Sequence, residues 1–458
     1  MNSTKMDTDI ISDLPEALIC HILSFLTTKE AALTSLLSQK WRYLFAFVPN
    51  LDFDDFVCWR SQLFYRDMNE VHRDFMDFVD RVLGLQGNST IDRFSLKCNG
   101  RYPVRVSSWI SNVIERGVSD LDLRGTVVSN HSMPSSVFVS KLLVRLRIEN
   151  ANAVVIDSAH VFLPKLKTLH LNSVVFGDGD SCLVKLISGC PVLEELVMID
   201  LRWDGYYWNR SVSSKTLKRL TVCSEDVLEI KSPDRFSFDT PNLVYFKYSD
   251  HVAEKYETMN FASLVEARIG LLMRSHPCVV NDATNLFMGI SNVQILHLFA
   301  NTLEVLTFCC EPIPVFKNLI QLTVRTHGDL GWESLPALLK NCPKLETLVF
   351  EGLYHKSTIK CEDADGCLCK SSEVDIRSCL SSSPVKVLKM LNFGDVPFYS
   401  EEKEKWTAQV KYFLETMPNL EHLILCYHSL FDEDLKSQLE RLVPRGASPK
   451  CRIQLTNM

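Results

Sequence analysis

From about residue 118 onward one phrase recurs along the chain: apolar-x-x-apolar-x-apolar. Clear copies are Leu166-Lys167-Thr168-Leu169-His170-Leu171, Leu193-Glu194-Glu195-Leu196-Val197-Met198 and Leu217-Lys218-Arg219-Leu220-Thr221-Val222. Leu319 to Val324, Leu345 to Phe350 and Leu420 to Leu425 continue the series, and weaker copies centre on Leu121, Leu146, Phe246, Ala267, Leu296 and Leu388. The middle anchors fall at 121, 146, 169, 196, 220, 246, 267, 296, 322, 348, 388 and 423, with intervals of 21 to 29 except for the last two, 40 and 35. A period in this range marks units that bury a core only by stacking on one another. A longer phrase repeats too: Ser188-Gly189-Cys190-Pro191-Val192-Leu193 matches Lys340-Asn341-Cys342-Pro343-Lys344-Leu345 and Glu415-Thr416-Met417-Pro418-Asn419-Leu420. In each, a helical stretch such as Leu183 to Ile187 stops before a proline and a strand follows.

The pattern predicts a curved α/β solenoid with one short strand per unit. Twelve strands about 4.8 Å apart make a parallel inner sheet on the order of 50 Å long. The second and third apolar positions point inward, and the residue between them points out onto the concave face. Those outward positions are Asp122, Arg147, His170, Val197, Thr221, Lys247, Arg268, His297, Thr323, Val349, Lys389 and Ile424. Arg147, His170, Lys247, Arg268, His297 and Lys389 make this column basic, which suits an acidic or phosphorylated segment of a partner. Glu149, Glu195, Glu266 and Glu351 lie close enough to cancel that charge.

The first 55 residues have a different period. Asp13 offers an N-cap, Pro15 lies in the first turn, and Glu16 sits three residues after the cap. Leu18, Ile19, Ile22, Leu23, Phe25 and Leu26 then form a broad apolar face at helical spacing. Thr27 and Glu30 repeat the capping signature for a second helix, and Ser38 can cap a third that presents Trp41, Leu44 and Phe45. Asp74 to Leu85 carries Phe75, Phe78, Val79 and Val82 at helical spacing.

Asp13-Leu14-Pro15-Glu16, Ile22 to Leu26, Thr28 to Ala31, Ser35 to Ser38 and Trp41 to Leu44 resemble an F-box in order and spacing. Gln39-Lys40 and Phe45 depart mildly from its usual residues. The resemblance implies docking on the Skp-type adaptor of a cullin–RING ubiquitin ligase, with Leu14, Pro15, Ile19, Ile22 and Leu23 as the buried patch and Phe25, Leu33, Leu36 and Trp41 as internal core. The repeats resemble leucine-rich repeats. Val385 to Lys389, Val410 to Leu414 and Ala447 to Ile453 resemble the FBD region of plant F-box proteins. In this order the segments resemble the plant F-box/FBD/LRR-repeat family. The organisation expected is a flexible tail over 1–9, the F-box over 10–55, a helical connection and solenoid start over 56–117, and leucine-rich repeats over 118–360. A loop or linker over 361–381 and an FBD region over 382–458 follow. The resemblance implies a substrate-recognition adaptor for protein ubiquitination, whose target protein the sequence does not name. The alternative is a repeat scaffold that binds proteins without a ligase.

Composition changes this picture little. A hydrophobic fraction of 46% supports a large core, and a net charge of −7 gives no whole-chain affinity for nucleic acid or anionic membrane. Asp7, Asp9 and Asp13 stand where a secretory leader would be basic. The 16 scattered cysteines suit reduced, buried thiols in the cytoplasm or nucleus. Cys361, Cys367, Cys369 and Cys379 lack the C-x-x-C pairs usual for structural zinc, so a loop is expected there and no cofactor or metal. Phosphate-binding and hydrolase motifs are missing, and Cys190 and Cys342 sit at helix ends without a companion histidine motif, so the expectation is a binding protein and no enzyme. Tyr206, Tyr207 and Trp208 read as an inter-repeat loop; as the lining of a small-molecule or inositol-phosphate site they are the lesser alternative.

Overall fold

Pro15 decides where the first helix begins. A residue before proline is turned away from helical backbone angles, so Leu14 cannot extend the helix backward. Helix α1 (Glu16–Leu23) starts behind Pro15 with no side-chain cap, and Asp13 lies too far upstream to serve as the expected one. In α2 (Thr28–Leu33) the expected capping box is complete: Glu30 N–H donates to Thr27 Oγ1 at 3.3 Å, and Thr27 N–H donates to Glu30 Oε2 at 3.0 Å. The third expected helix is absent. Residues 37–43 form turns and Leu44–Phe47 a single 3-10 turn, although Trp41, Leu44 and Phe45 are buried as expected. The segment is short, rich in aromatic residues of low helix propensity, and stopped by Pro49.

The computed structural model describes residues 13–55, 68–98, 103–127, 133–151, 161–176, 180–203, 209–224, 235–273, 282–299, 301–325, 334–352, 380–393, 410–427 and 448–457. The chain divides into two compact units, 1–206 and 207–458. Three sequence readings lie outside the described residues: the tail over 1–9, the Tyr206-Tyr207-Trp208 segment, and the Cys361 to Cys379 loop.

In the first unit, β1 (Asn50–Asp54) leaves the helical module directly, and its Asp52 N–H donates to Thr28 Oγ1 at 2.7 Å. The long helix α3 (Met68–Gln86) contains the expected Asp74 to Leu85 stretch and reaches back to Val48 O through Gln86 Nε2 at 3.1 Å. Next come β2 (Arg93–Lys97), α4 (Pro103–Glu115), β3 (Asp120–Val127), β4 (Arg145–Ala151), β5 (Thr168–Asn172), β6 (Val175–Phe176), α5 (Asp180–Ser188), β7 (Glu195–Ile199) and β8 (Arg202–Trp203). Strands β1, β2, β3, β4, β5 and β7 pair in that order, all parallel. The short β6 and β8 pair separately.

The second unit contains β9 (Asn209–Ser213), β10 (Arg219–Cys223), β11 (Arg235–Asp239), β12 (Tyr245–His251), β13 (Lys255–Asn260) and β14 (Glu266–Leu272). It continues with α6 (Thr284–Gly289), β15 (Ile295–Leu298), α7 (Thr302–Phe308), β16 (Gln321–Arg325), α8 (Leu335–Lys340), β17 (Thr347–Glu351), β18 (Val387–Leu391), β19 (His422–Tyr427) and β20 (Arg452–Asn457). Strands β10, β12, β14, β15, β16, β17, β18, β19 and β20 form one parallel sheet. Such sheets, open and lined on the inner side by apolar repeats, are the solenoid architecture the pattern predicts.

The register follows the sequence phrase. Leu121, Leu146, Leu169 and Leu196 stand side by side in the first unit. In the second, Leu220, Phe246, Ala267, Leu296, Leu322, Leu348, Leu388 and Leu423 do the same. Just before most strands of the two long sheets, one carbonyl accepts two N–H groups from the next repeat. Lys218 O takes Val244 N and Tyr245 N at 2.8 and 3.1 Å, and Glu346 O takes Lys386 N and Val387 N at 2.9 and 3.0 Å. The Cys-Pro phrase has a packing cause: the buried Cys190 and Cys342 thiols donate to Leu186 O and Leu338 O, four residues back at their helix ends, at 3.1 and 3.0 Å.

Part of the second layer is not helical. Strands β9, β11 and β13 form a three-stranded parallel sheet whose inward Phe236 and Phe238 pack on Phe246 and Tyr248 of β12, with centroids 5.2 to 6.0 Å apart. The alternation of Arg235-Phe236-Ser237-Phe238 has period 2, which favours a strand over the helix used elsewhere. Among these aromatics an ion pair is buried: Arg210 Nη1 meets Asp250 Oδ2 at 2.9 Å, and the guanidinium lies 5.2 Å from the centroid of Phe236.

Candidate functional site

Two surfaces present the residues the sequence singles out. On the helical module, spacing decides which side chains are available. Ile19 and Leu23, four apart on α1, share the inner face and are fully buried. This corrects the expected adaptor patch, of which Leu14 is half-buried while Pro15 and Ile22 are exposed. The outer face of α1 carries Leu18 and Ile22, and the turn after it carries Phe25 and Leu26, with Phe25 77% exposed. Phe25, Leu33 and Leu36 are therefore not the internal core expected of them, whereas Trp41 is. Leu33 and Leu36 border a cleft of about 370 Å³ whose far side is Phe53, Phe75 and Phe78. The signal for the outer row, Leu18 one helical turn before Ile22, was present in the sequence; only the choice of face was ambiguous.

The second surface is the outward face of each sheet. The predicted positions line up in register: Asp122, Arg147, His170 and Val197 in the first unit, and Thr221, Lys247, Arg268, His297, Thr323, Val349, Lys389 and Ile424 in the second. Sequence reasoning missed the ends of these columns, Asp52 and Ser95 before Asp122 and Gln454 after Ile424. The strands of Asp52 and Ser95 carry the full six-residue phrase, Val48 to Phe53 and Ile91 to Leu96, upstream of the series that starts near residue 118, whereas the strand of Gln454 has Lys450 in the first apolar place.

Much of the expected positive charge is cancelled. Arg147 donates to Glu149 at 2.9 Å, and the buried Asp122 accepts two hydrogen bonds from Arg124 at 3.0 and 2.7 Å. Arg268 Nε donates to Glu266 Oε1 at 2.7 Å, and the same oxygen lies 3.7 Å from His297 Nε2. Burial, and after it the neighbouring Arg147, holds His170 below the ordinary imidazole value; burial and Arg268 do the same to His297. Both rings are thus neutral near pH 7. Among the described residues, Lys247 and Lys389 are the expected cations left without an ion pair or hydrogen bond.

Comparison with known proteins identifies both regions by family. The F-box domain matches residues 11–52, and the family described as "FBD-associated F-box protein At5g56370, LRR repeats" matches residues 106–256. An F-box/FBD/LRR-repeat protein of Arabidopsis thaliana is 70% identical over 455 residues, covering 98% of this chain and 89% of the relative. The chain belongs to the F-box/FBD/LRR-repeat family. Two F-box/LRR-repeat proteins of the same plant are 54% and 52% identical, each over 98% of this chain and over 97% and 94% of their own lengths. F-boxes generally bind Skp-type adaptors and leucine-rich repeats bind protein targets, which gives this F-box/FBD/LRR-repeat protein a protein-interaction role. Among the described residues no helix is long and apolar enough to cross a membrane.

Proposed function

We propose that this protein is the substrate-recognition subunit of an SCF-type cullin–RING ubiquitin ligase. The F-box docks a Skp-type adaptor through its outer apolar row, and the repeat face holds the protein to be ubiquitinated. The observation that carries this is the exposure of Leu18, Ile22, Phe25 and Leu26 on an otherwise folded F-box. A cluster of large apolar side chains in water is a binding surface awaiting a partner, and an apolar helix face fits a groove. Its contribution is proximity: it raises the local concentration of target lysines near a ubiquitin-charged enzyme carried elsewhere on the ligase.

No catalysis by this chain is required. Burial pushes the Cys190 and Cys342 thiols up to about 12, so they are not thiolates near neutral pH and do not suit a ubiquitin thioester. The ten described cysteines are free thiols, which supports residence in the reducing cytoplasm or nucleus.

Co-purification with a plant Skp-type adaptor tests the reading. The wild type should retain the adaptor, and an Ile22→Asp/Phe25→Asp variant with an unchanged circular dichroism spectrum should lose it. A folded wild type that retains no adaptor would leave a repeat scaffold without a ligase.

A further inference from the structure

Among the described residues, one lysine of the second unit's outward face has no ion-pair partner. Lys389, at the centre of β18, is half-buried and makes no ion pair or hydrogen bond with a described residue. Its register neighbours are Val349 on β17 and Ile424 on β19. Val387 and Leu391 flank it on its own strand, two residues to either side and on the same face. Glu351, diagonal to it, is held by Arg325 at 3.4 Å. The Lys389 ammonium also acts on the Cys426 thiol, opposing the burial that pushes that thiol up.

Lys247 has no comparable surroundings, because its register neighbours are Thr221 and Arg268. An ammonium whose four nearest positions on the face are aliphatic is poorly served by them, the polar Thr347, Glu351, His422 and Cys426 lying only on the diagonals. Val349 is already buried, but a partner that covers the half-buried Val387, Leu391 and Ile424 removes apolar surface from water, and in doing so strips water from the charge, which then needs an anion. In such a site the ion pair is stronger than at an open surface.

We infer that the β17–β19 part of this face takes an extended target segment in which one Asp or Glu is flanked by aliphatic residues, with Lys389 selecting the acid. The inference rests on the reading that the repeat face receives a protein target, and it specifies that target's chemistry. A carboxylate fits better than a phosphate. Among the described residues the site offers one point charge and no free guanidinium fork, since Arg325 is engaged by Glu351, whereas a phosphate dianion calls for several convergent donors.

The test uses the full chain and short synthetic peptides of alternating Leu and Val with a central Asp, Asn, Lys or phosphoserine, read by fluorescence anisotropy. The Asp peptide should bind about tenfold or more tightly than the Asn or Lys peptides. Lys389→Gln should abolish that difference, and Lys389→Glu should transfer the preference to the Lys peptide. Equal binding of the Asp, Asn and Lys peptides, no binding of any, or an unchanged Asp preference in Lys389→Glu would overturn the inference. Tighter binding of the phosphoserine peptide would overturn the choice of carboxylate. Adaptor capture by the same samples should be unaffected by either substitution. Loss of adaptor capture by the wild type would remove the ligase reading while the peptide results stood on their own.

Discussion

At the scale of single residues, the buried pair between Arg210 and Asp250 is the most exacting feature. Asp250 lies on the inward side of β12, where its neighbours along the strand are Phe246 and Tyr248, and it is only 4% exposed. Its two oxygens are used by the Arg210 guanidinium and by the His251 N–H at 2.8 Å. Removing one partner leaves a charge in an aromatic interior. Arg210→Met should therefore cost about 3–5 kcal/mol in chemical denaturation. The double variant with Asp250→Leu should recover much of that loss, since two apolar residues leave no orphaned charge. A single variant as stable as the wild type would show that Asp250 finds water or another donor. The sequence gives no hint of this pair, because its partners are 40 residues apart and belong to strands of different sheets.

At the scale of elements, α1 separates folding from docking by the side of one helix. Ile19 and Leu23 hold the helix to the 3-10 turn at Leu44–Phe47, while Ile22 and Phe25 face out. Ile19→Ala should cost about 2–5 kcal/mol, measured by urea unfolding, and should weaken adaptor capture only as far as the protein unfolds. Phe25→Ala should leave stability within about 0.5 kcal/mol and still weaken adaptor capture. If instead Phe25→Ala destabilises the chain as Ile19→Ala does, the outer row is core and not interface. The motif was easy to recognise from Asp13 to Leu44, yet which residues it buries was not. A helix that is apolar most of the way round carries no clear record of which side meets the module and which side awaits a partner.

At the scale of the whole chain, the repeat phrase was the most legible feature. The twelve anchors from Leu121 to Leu423 each fell in a strand, and each outward residue fell in the column assigned to it, because a period of two within a strand leaves no other choice. Strands β1, β2 and β20 were missed: the first two carry full copies of the phrase, Val48 to Phe53 and Ile91 to Leu96, but lie upstream of the regular series, and Ile453 stands in a copy whose first apolar place is Lys450. The electrostatics of the face was legible only as a list of charges. Whether Arg147 and Arg268 are available depends on Glu149 and Glu266 bending toward them, which sequence spacing suggests but does not decide. A repeat array with nearest-neighbour coupling also predicts how damage combines. Leu220→Ala in β10 and Leu348→Ala in β17, five strands apart in the second unit's sheet, should each destabilise by about 2–5 kcal/mol, and together by their sum within about 0.5 kcal/mol. A clear departure from additivity in equilibrium unfolding would mean that distant repeats share strain.

The carbonyl that accepts two N–H groups at the mouth of most strands sets alignment through backbone alone. Thr347 and Val387 are neighbours although 40 positions separate them, just as Gln321 and Thr347 are neighbours across 26. The length of chain spent between strands is thus free to vary without disturbing the alphabet displayed on the sheet. Each outward column can be rewritten one letter at a time, and each interval lengthened or cut, while the line of type stays straight. A chain built this way can acquire a new target by substitution at a handful of displayed positions, with nothing else in its architecture having to change.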